Sequence, residues 1–315
     1  MSAEVDVVVI GGGLAGLSAA LTSARIGRRT ALVTGGLVGG QLVSIDKIEG
    51  VPGFPDGVPG YDLCPMTQEQ AAAAGVEFVN AAADSLAADG ERWRVTSAEG
   101  ELAARAVVIA TGTALAKLGV PGEERLVGKG VSQCASCDAP LLRNRTTAVV
   151  GGGDSGMQEA LTLVEHVAKV VLLERGRALG GQASYRERVS AHPKIELRFG
   201  AVVKEILGDD AVRALRIKVG GGAESELATD AVFVFPGLVP STELVRALVA
   251  LDATGRIAVD AELRTTVRGI CAAGNVRAGS PHRAAGAIGD GAAAAVTLDR
   301  YLASGEWRAP AAGRA

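Results

Sequence analysis

Residues 4–27 read EVDVVVIGGGLAGLSAALTSARIG. An apolar run, Val5–Ile10, passes directly into Gly11, Gly13 and Gly16 at G-x-G-x-x-G spacing, and a helical pattern rich in Leu and Ala follows. Strand, glycine turn and helix in this order form the dinucleotide-binding fingerprint in its required context. The glycines let the backbone come close to a pyrophosphate. The helix N-terminus then meets the negative charge with free N–H groups and the positive end of its dipole.

The same sentence returns at residues 146–176, TTAVVGGGDSGMQEALTLVEHVAKVVLLERG, where Gly151, Gly153 and Gly156 repeat the fingerprint 140 positions later. This is a second βαβ unit of the same kind. Its helix is expected to end near Ala168, and a strand is expected over Val170–Leu173. The copies share more than glycines. Residues 30–41, TALVTGGLVGGQ, and 170–182, VVLLERGRALGGQ, both end in Gly-Gly-Gln, shifted by one residue in alignment. Only the second copy has an acid, Glu174, where its strand should stop. Further markers are VVIATGT (107–113), FVFPGLVPST (233–242), GICAAGNVRAG (269–279) and a glycine entry into a helix over 286–302. The tail after Trp307 reads as frayed. The expected fold class is α/β, with two Rossmann-like dinucleotide-binding domains, one inserted into the other. Residues 1–115 and 245–315 form the discontinuous outer domain, and 116–244 the insertion.

Composition narrows the partners. The 315 residues are 48% hydrophobic and 21% charged, with a formal net charge of −3 and no long basic run, which argues against nucleic acid or an anionic membrane surface. Aromatic residues are only 3% of the chain, too few for a stacking surface. No stretch approaches 18 uninterrupted apolar residues, so no membrane span is expected. The first apolar run is too short and too acidic in its flank for a signal peptide, and the expected location is cytoplasmic.

There are four cysteines, Cys64, Cys134, Cys137 and Cys271, too few for a secreted disulfide scaffold. Cys134-Ala-Ser-Cys137 is short enough to close a disulfide. A CxxC can also be half of a zinc site or an inert pair. No second pair exists, however, and His166, His192 and His282 lie far away in sequence, so no metal is expected. The redox dithiol is the preferred reading, because a CxxC at a helix start has a lowered thiolate pKa. Cys64 and Cys271 read as buried small hydrophobes.

GGGLAG, the Gly-Gly-Gln at 39–41, ATG at 110–112, CASCD at 134–138, GGGDSG at 151–156 and AAGN at 272–275 stand in an order that resembles the flavoprotein disulfide reductases of the low-molecular-weight thioredoxin reductase type. The resemblance spans roughly residues 4–303. It implies FAD in the outer domain, at Gly11, Gly13, Gly16, Gly40, Gln41, Thr111, Gly112, Asn275, His282 and Arg283. It also implies a second dinucleotide in the insertion, and a homodimer. Cys137 would exchange electrons with the flavin, Cys134 would attack the disulfide of a thioredoxin-like protein, and Asp138 would protonate the departing thiolate. Asp138 also reads as a plain helix N-terminal carboxylate.

The chain departs from this pattern at the second nucleotide. NADPH-dependent members end that strand in His-Arg-Arg, with another Arg four residues on. Here the stretch is Glu174-Arg175-Gly176, with Gly180 at the later place. Only Arg175 survives, and Glu174 suits a ribose diol rather than a 2′-phosphate. NADPH is therefore disfavoured, unless Glu174 turns outward and Arg177 replaces the clamp. The second-site set is Gly151, Gly153, Gly156, Glu174, Arg175 and Gln182, and its twin turn leaves open NADH, a second FAD, or neither, the similar turns then being a trace of duplication without ligand meaning. Asn275 replaces the family's Asp after Ala-Ala-Gly, and the family's Arg-Gln falls at His282-Arg283. The expected function is an FAD-dependent disulfide oxidoreductase acting on a small protein. The rivals are an enzyme with a second FAD fed by a carrier protein, an oxygen-using dithiol oxidase, and a non-enzymatic flavin redox sensor.

Overall fold

A computed structural model describes residues 3–308. The tail expected to fray lies, from residue 309 onward, outside them. The chain divides into two units, residues 3–114 with 239–308, and Leu115–Leu238. Leu115, expected in the outer domain, therefore opens the inserted unit, and residues 239–244, expected in the insertion, belong to the outer unit. Hydrogen bonds hold them there. The Ser241 N–H donates to the Gly112 carbonyl at 3.0 Å. The Thr111 hydroxyl donates to the Ser241 carbonyl at 2.6 Å, and the buried Thr242 hydroxyl to Gly255 at 3.2 Å.

In the outer unit, strand Ala3–Ile10 lies between Thr30–Val33 and Gly100–Ile109, parallel to both. Glu77–Val79 extends the sheet beyond Thr30–Val33. Residues 107–109 pair in parallel with Ile270–Ala272, while residues 100–104 carry an antiparallel meander, Arg92–Ser97 and then Ala83–Asp89. Val7, Val8, Val9 and Ile10 are all buried, as parallel strands covered on both faces require. Helix Leu14–Arg25 and the long helix Ala284–Ser304 pack together through small residues. A Cβ on Gly291 would lie 2.2 Å from the Ala15 carbonyl oxygen. The glycine and alanine content of both helices follows from that close approach.

The inserted unit is built on a five-stranded parallel sheet in the order Ile195–Phe199, Lys169–Glu174, Thr146–Val150, Ala231–Val234, Val131–Ser132. A three-stranded antiparallel sheet, Ala201–Leu207, Ala214–Val219 and Glu224–Ala228, accompanies it. Its fingerprint helix, Asp154–Leu163, stops earlier than the sequence suggests. The Lys194 ammonium supplies the reason, donating to the Val164 carbonyl at 2.7 Å and the Val167 carbonyl at 3.1 Å. Satisfying these carbonyls from outside lets the chain leave the helix without orphaned acceptors. The following strand runs one residue further at each end than expected and includes Glu174.

Candidate active site

The two glycine loops are built alike. Gly11 and Gly151 have φ of +117° and +112°, and a Cβ on either would strike a carbonyl oxygen, Ala110 at 2.3 Å or Phe235 at 2.0 Å. Gly16 and Gly156 sit in their helices, where a Cβ would lie 1.8 Å and 1.9 Å from the carbonyl oxygens of Gly11 and Gly151. These two glycines set helix-to-strand packing. Gly13 and Gly153 behave differently: a Cβ on either would meet nothing within 4 Å. The middle glycine of each loop thus leaves open space at a helix N-terminus, the place a pyrophosphate takes. Gly156→Ala should lower the stability of the inserted unit by about 1–3 kcal/mol, as overpacking does. Limited proteolysis at increasing urea would show it as earlier cleavage within Leu115–Leu238.

In the outer unit a cavity of about 320 Å³ collects most of the residues implied for FAD. Gly11, Gly13, Gly40, Gln41, Thr111, Gly112, Asn275, His282 and Arg283 line it; Gly16 does not. A second cavity, about 640 Å³, shares Gly11, Thr34, Gly35 and Thr111 with the first. The Gly39 N–H donates to the Gly12 carbonyl at 2.8 Å, which docks the Gly-Gly-Gln turn onto the fingerprint loop. The Gln41 amide donates to the Thr113 carbonyl.

At the other end of the cavity, Asn275 accepts the Ser280 hydroxyl on Oδ1 at 3.1 Å, and the Ser280 Oγ accepts the His282 N–H at 3.3 Å. One lone pair of the Asn275 oxygen is therefore occupied, which leaves its second lone pair and its amide NH₂ to offer a ligand. His282 has φ of +54°. Burial, with Arg256, Arg283 and Arg277 nearby, holds its imidazole pKa below the usual value. Arg283 precedes helix Ala284–Ser304, whose first turn lines the cavity, so the positive end of a 21-residue helix faces it. Sequence reasoning missed the brace beneath this end. Asp290 accepts Arg277 Nε and Nη2, both at 2.7 Å, and the Gly274 N–H at 3.0 Å. The signal was a lone acid in the otherwise small-residue run GAIGDGAAAA.

The inserted unit repeats the docked turn. The Gly180 N–H donates to the Gly152 carbonyl at 2.9 Å, and the Gln182 N–H donates to Asp154 Oδ1 at 2.7 Å. Gln182 thus enters through its backbone, as the residue before helix Ala183–Ala191. Glu174 turns inward. Its Oε2 accepts the Gly152 N–H at 2.7 Å and its Oε1 accepts the Gly176 N–H at 2.6 Å. The carboxylate is therefore fixed on the glycine loop, and the outward-turned arrangement is not the one adopted. Arg175 and Arg177 are exposed.

Cys134 and Cys137 form a disulfide with Cα atoms 5.4 Å apart. Cys134 caps the short turn Ala135–Asp138, and its Sγ accepts the Cys137 N–H at 3.3 Å. Cys134 and Asp138 are half-buried, while Cys137 is exposed. Among the described residues no group of His, Cys, Asp and Glu could hold a metal ion. Cys64 and Cys271 are buried free thiols. Burial pushes the Cys64 thiol up to about 11; burial, then the charge of Asp260, raises Cys271 as well. Native alkylation at pH 8 after mild reduction should therefore label Cys134 and Cys137 and spare the other two. Peptide mass mapping would check it, and labelled Cys64 or Cys271 would contradict the burial argument.

Two nucleotide folds, one carrying a disulfide just before its fingerprint, define a class of flavin-linked disulfide oxidoreductases. The chain matches the pyridine nucleotide-disulphide oxidoreductase family over residues 5–291. It is 36% identical to the thioredoxin reductase of Treponema pallidum over 303 residues, covering 96% of this chain and 98% of that one. With the Listeria monocytogenes thioredoxin reductase it shares 37% identity over 300 residues, covering 94% and 93%. The crystal structure of Lactococcus lactis thioredoxin reductase superposes with a TM-score of 0.91 at 34% identity, over 95% of this chain and 99% of that one. The chain belongs to the pyridine nucleotide-disulphide oxidoreductases, in their low-molecular-weight thioredoxin reductase branch, and is a flavin-dependent disulfide oxidoreductase with FAD as its cofactor. No described helix is long and apolar enough to cross a membrane.

Proposed function

We propose that this enzyme reduces the disulfide of a thioredoxin-like protein through Cys134 and Cys137, and that its electrons come from NADH rather than NADPH. The observation that carries the donor assignment is the Glu174 carboxylate, fixed by the Gly152 and Gly176 N–H groups at the strand end. An acid there accepts hydrogen bonds from a free ribose diol and repels a 2′-phosphate.

The outer cavity fits FAD on three counts. Gly13 leaves space at a helix N-terminus, the Gly39-Gly40-Gln41 turn lines the wall, and Asn275 offers an amide donor at the far end. Bound there, FAD supplies the two-electron relay between nucleotide and disulfide. Arg283 and the N-terminus of helix Ala284–Ser304 favour negative charge at that end of the cavity. Cys134 attacks the partner's disulfide, Cys137 resolves the mixed disulfide, and Asp138 gives the proton to the departing thiolate. The enzyme works in the cytoplasm as a homodimer.

One observation favours a second reading. The Gly180 turn docks on Gly152 just as the Gly39 turn docks on Gly12, so the inserted unit repeats the frame of the FAD site. In that reading a second FAD fills the inserted unit and a carrier protein delivers electrons. The strand ends differ, though. In the outer unit Gly12 donates to the Thr34 backbone carbonyl at 3.2 Å, with no acid present. The shared turn thus serves two different strand ends, so the repeated frame alone does not assign FAD to the inserted unit; the acid argues against a 2′-phosphate and accommodates either ribose. Flavin released by denaturation, measured against protein, separates the readings. One FAD per chain is expected, and two would overturn the NADH assignment.

A further inference from the structure

Glu159 sits on helix Asp154–Leu163, on the same buried stripe as Gly156, Met157, Ala160 and Leu163, and is only 7% exposed. A buried acid on an apolar stripe needs partners. Its Oε2 accepts the N–H of Ala135 at 2.6 Å, across 24 residues of sequence. Ala135 follows Cys134 directly, so covalent geometry places this carboxylate within about 5 Å of the Cys134 Cα. The helix that begins at the second nucleotide fingerprint thus grips the redox turn by its first N–H.

We propose that Glu159 is a positioning residue that also sets the acidity of the Cys134 thiol. When the disulfide is reduced, two influences act on Cys134. The Cys137 N–H, 3.3 Å from Sγ, stabilises a thiolate. The Glu159 carboxylate, anchored on the neighbouring N–H, opposes it with like charge. Other titratable groups stand nearby: Tyr185 belongs to the same buried cluster as Ala135, with Arg188 over its ring at 5.6 Å. Asp138 lies on the same turn, and Asp154, on the helix, is turned toward the Gln182 N–H. The following turn, Ala139–Leu142, contains none. Glu159 therefore holds Cys134 less acidic than the turn's N–H groups alone would make it. A thiol pKa near ambient pH suits an attacking thiol, because nucleophilicity falls as the thiolate becomes more stable.

The test uses the full chain with Cys137→Ser, so that Cys134 is the one accessible thiol. The rate of iodoacetamide alkylation is followed against pH. Adding Glu159→Gln keeps an acceptor for the Ala135 N–H and removes the charge. The alkylation midpoint should fall by about one pH unit or more. A purely structural role would leave it unmoved, because the hydrogen bond is retained. A midpoint that is unchanged or raised, in a chain with parental circular dichroism and flavin content, overturns the proposal. Glu159→Asp keeps the charge but draws it back by one methylene and should lower the midpoint by less. It carries the test if the Gln chain does not fold, and an unmoved midpoint there has the same negative meaning.

Discussion

Cys137→Ser and Cys134→Ser should each abolish disulfide turnover, by about three orders of magnitude or more, since each sulfur is required for a complete exchange. The two losses should be distinguishable. Cys134→Ser leaves Cys137, the thiol proposed to exchange electrons with the flavin, and a long-wavelength band should appear in the flavin spectrum as that thiolate forms. Cys137→Ser leaves Cys134, the sulfur proposed to attack the partner, so the protein should form a stable mixed disulfide with an oxidised thioredoxin-like protein. In both, reduction of the flavin by nucleotide should persist, because the glycine loops and Glu174 are untouched. Steady-state turnover, anaerobic absorbance and non-reducing electrophoresis check the three statements. Wild-type turnover in both single variants would remove Cys134 and Cys137 from the mechanism, and exchanged phenotypes would reverse their roles.

The parts of this molecule that read plainly from sequence are those whose backbone dictates residue type. Gly11 and Gly151 need positive φ, and Gly16 and Gly156 lie against carbonyl oxygens, so only glycine serves at these four positions. Such constraints survive as a spacing. The braces did not read so plainly. Asp290 on Arg277, Glu159 on Ala135 and Asp154 on Gln182 join residues that are 13, 24 and 28 apart, and no local pattern announces such partners. Each still left a trace, an acid in a small-residue or apolar setting. The misplaced boundary at 239–244 has the same origin. FVFPGLVPST reads as one strand and turn, yet its last residues are held by Gly112 and Gly255, distant in sequence. Asn275 shows the limit for chemistry. The sequence establishes that the charge is lost, but only the structure shows that Ser280 already occupies one lone pair of the remaining oxygen.

NADH should reduce the flavin at least about a hundredfold more efficiently than NADPH. Losing two charge-assisted contacts to a 2′-phosphate costs about 1.5–3 kcal/mol each. A carboxylate beside that phosphate adds repulsion, up to about 4 kcal/mol per unit charge pair at short range. Half of that sum already corresponds to about a hundredfold in affinity or more. The carboxylate is tied at both oxygens, to Gly152 and Gly176, and would have to orphan two N–H groups to swing away from an incoming phosphate. Glu174→Gln should narrow the preference by roughly tenfold, since the charge goes. It should do so at some cost in NADH affinity, because a Gln presents an NH₂ to one of two backbone donors that both need an acceptor. Stopped-flow reduction with each nucleotide, in the parent and in Glu174→Gln, gives both ratios. Efficient reduction of the parent by micromolar NADPH would mean that Arg175 or Arg177 reaches a phosphate from its exposed position and outweighs the acid. Reduction by neither nucleotide, with two flavins per chain, would transfer the inserted site to FAD and leave Glu174 holding a flavin ribose.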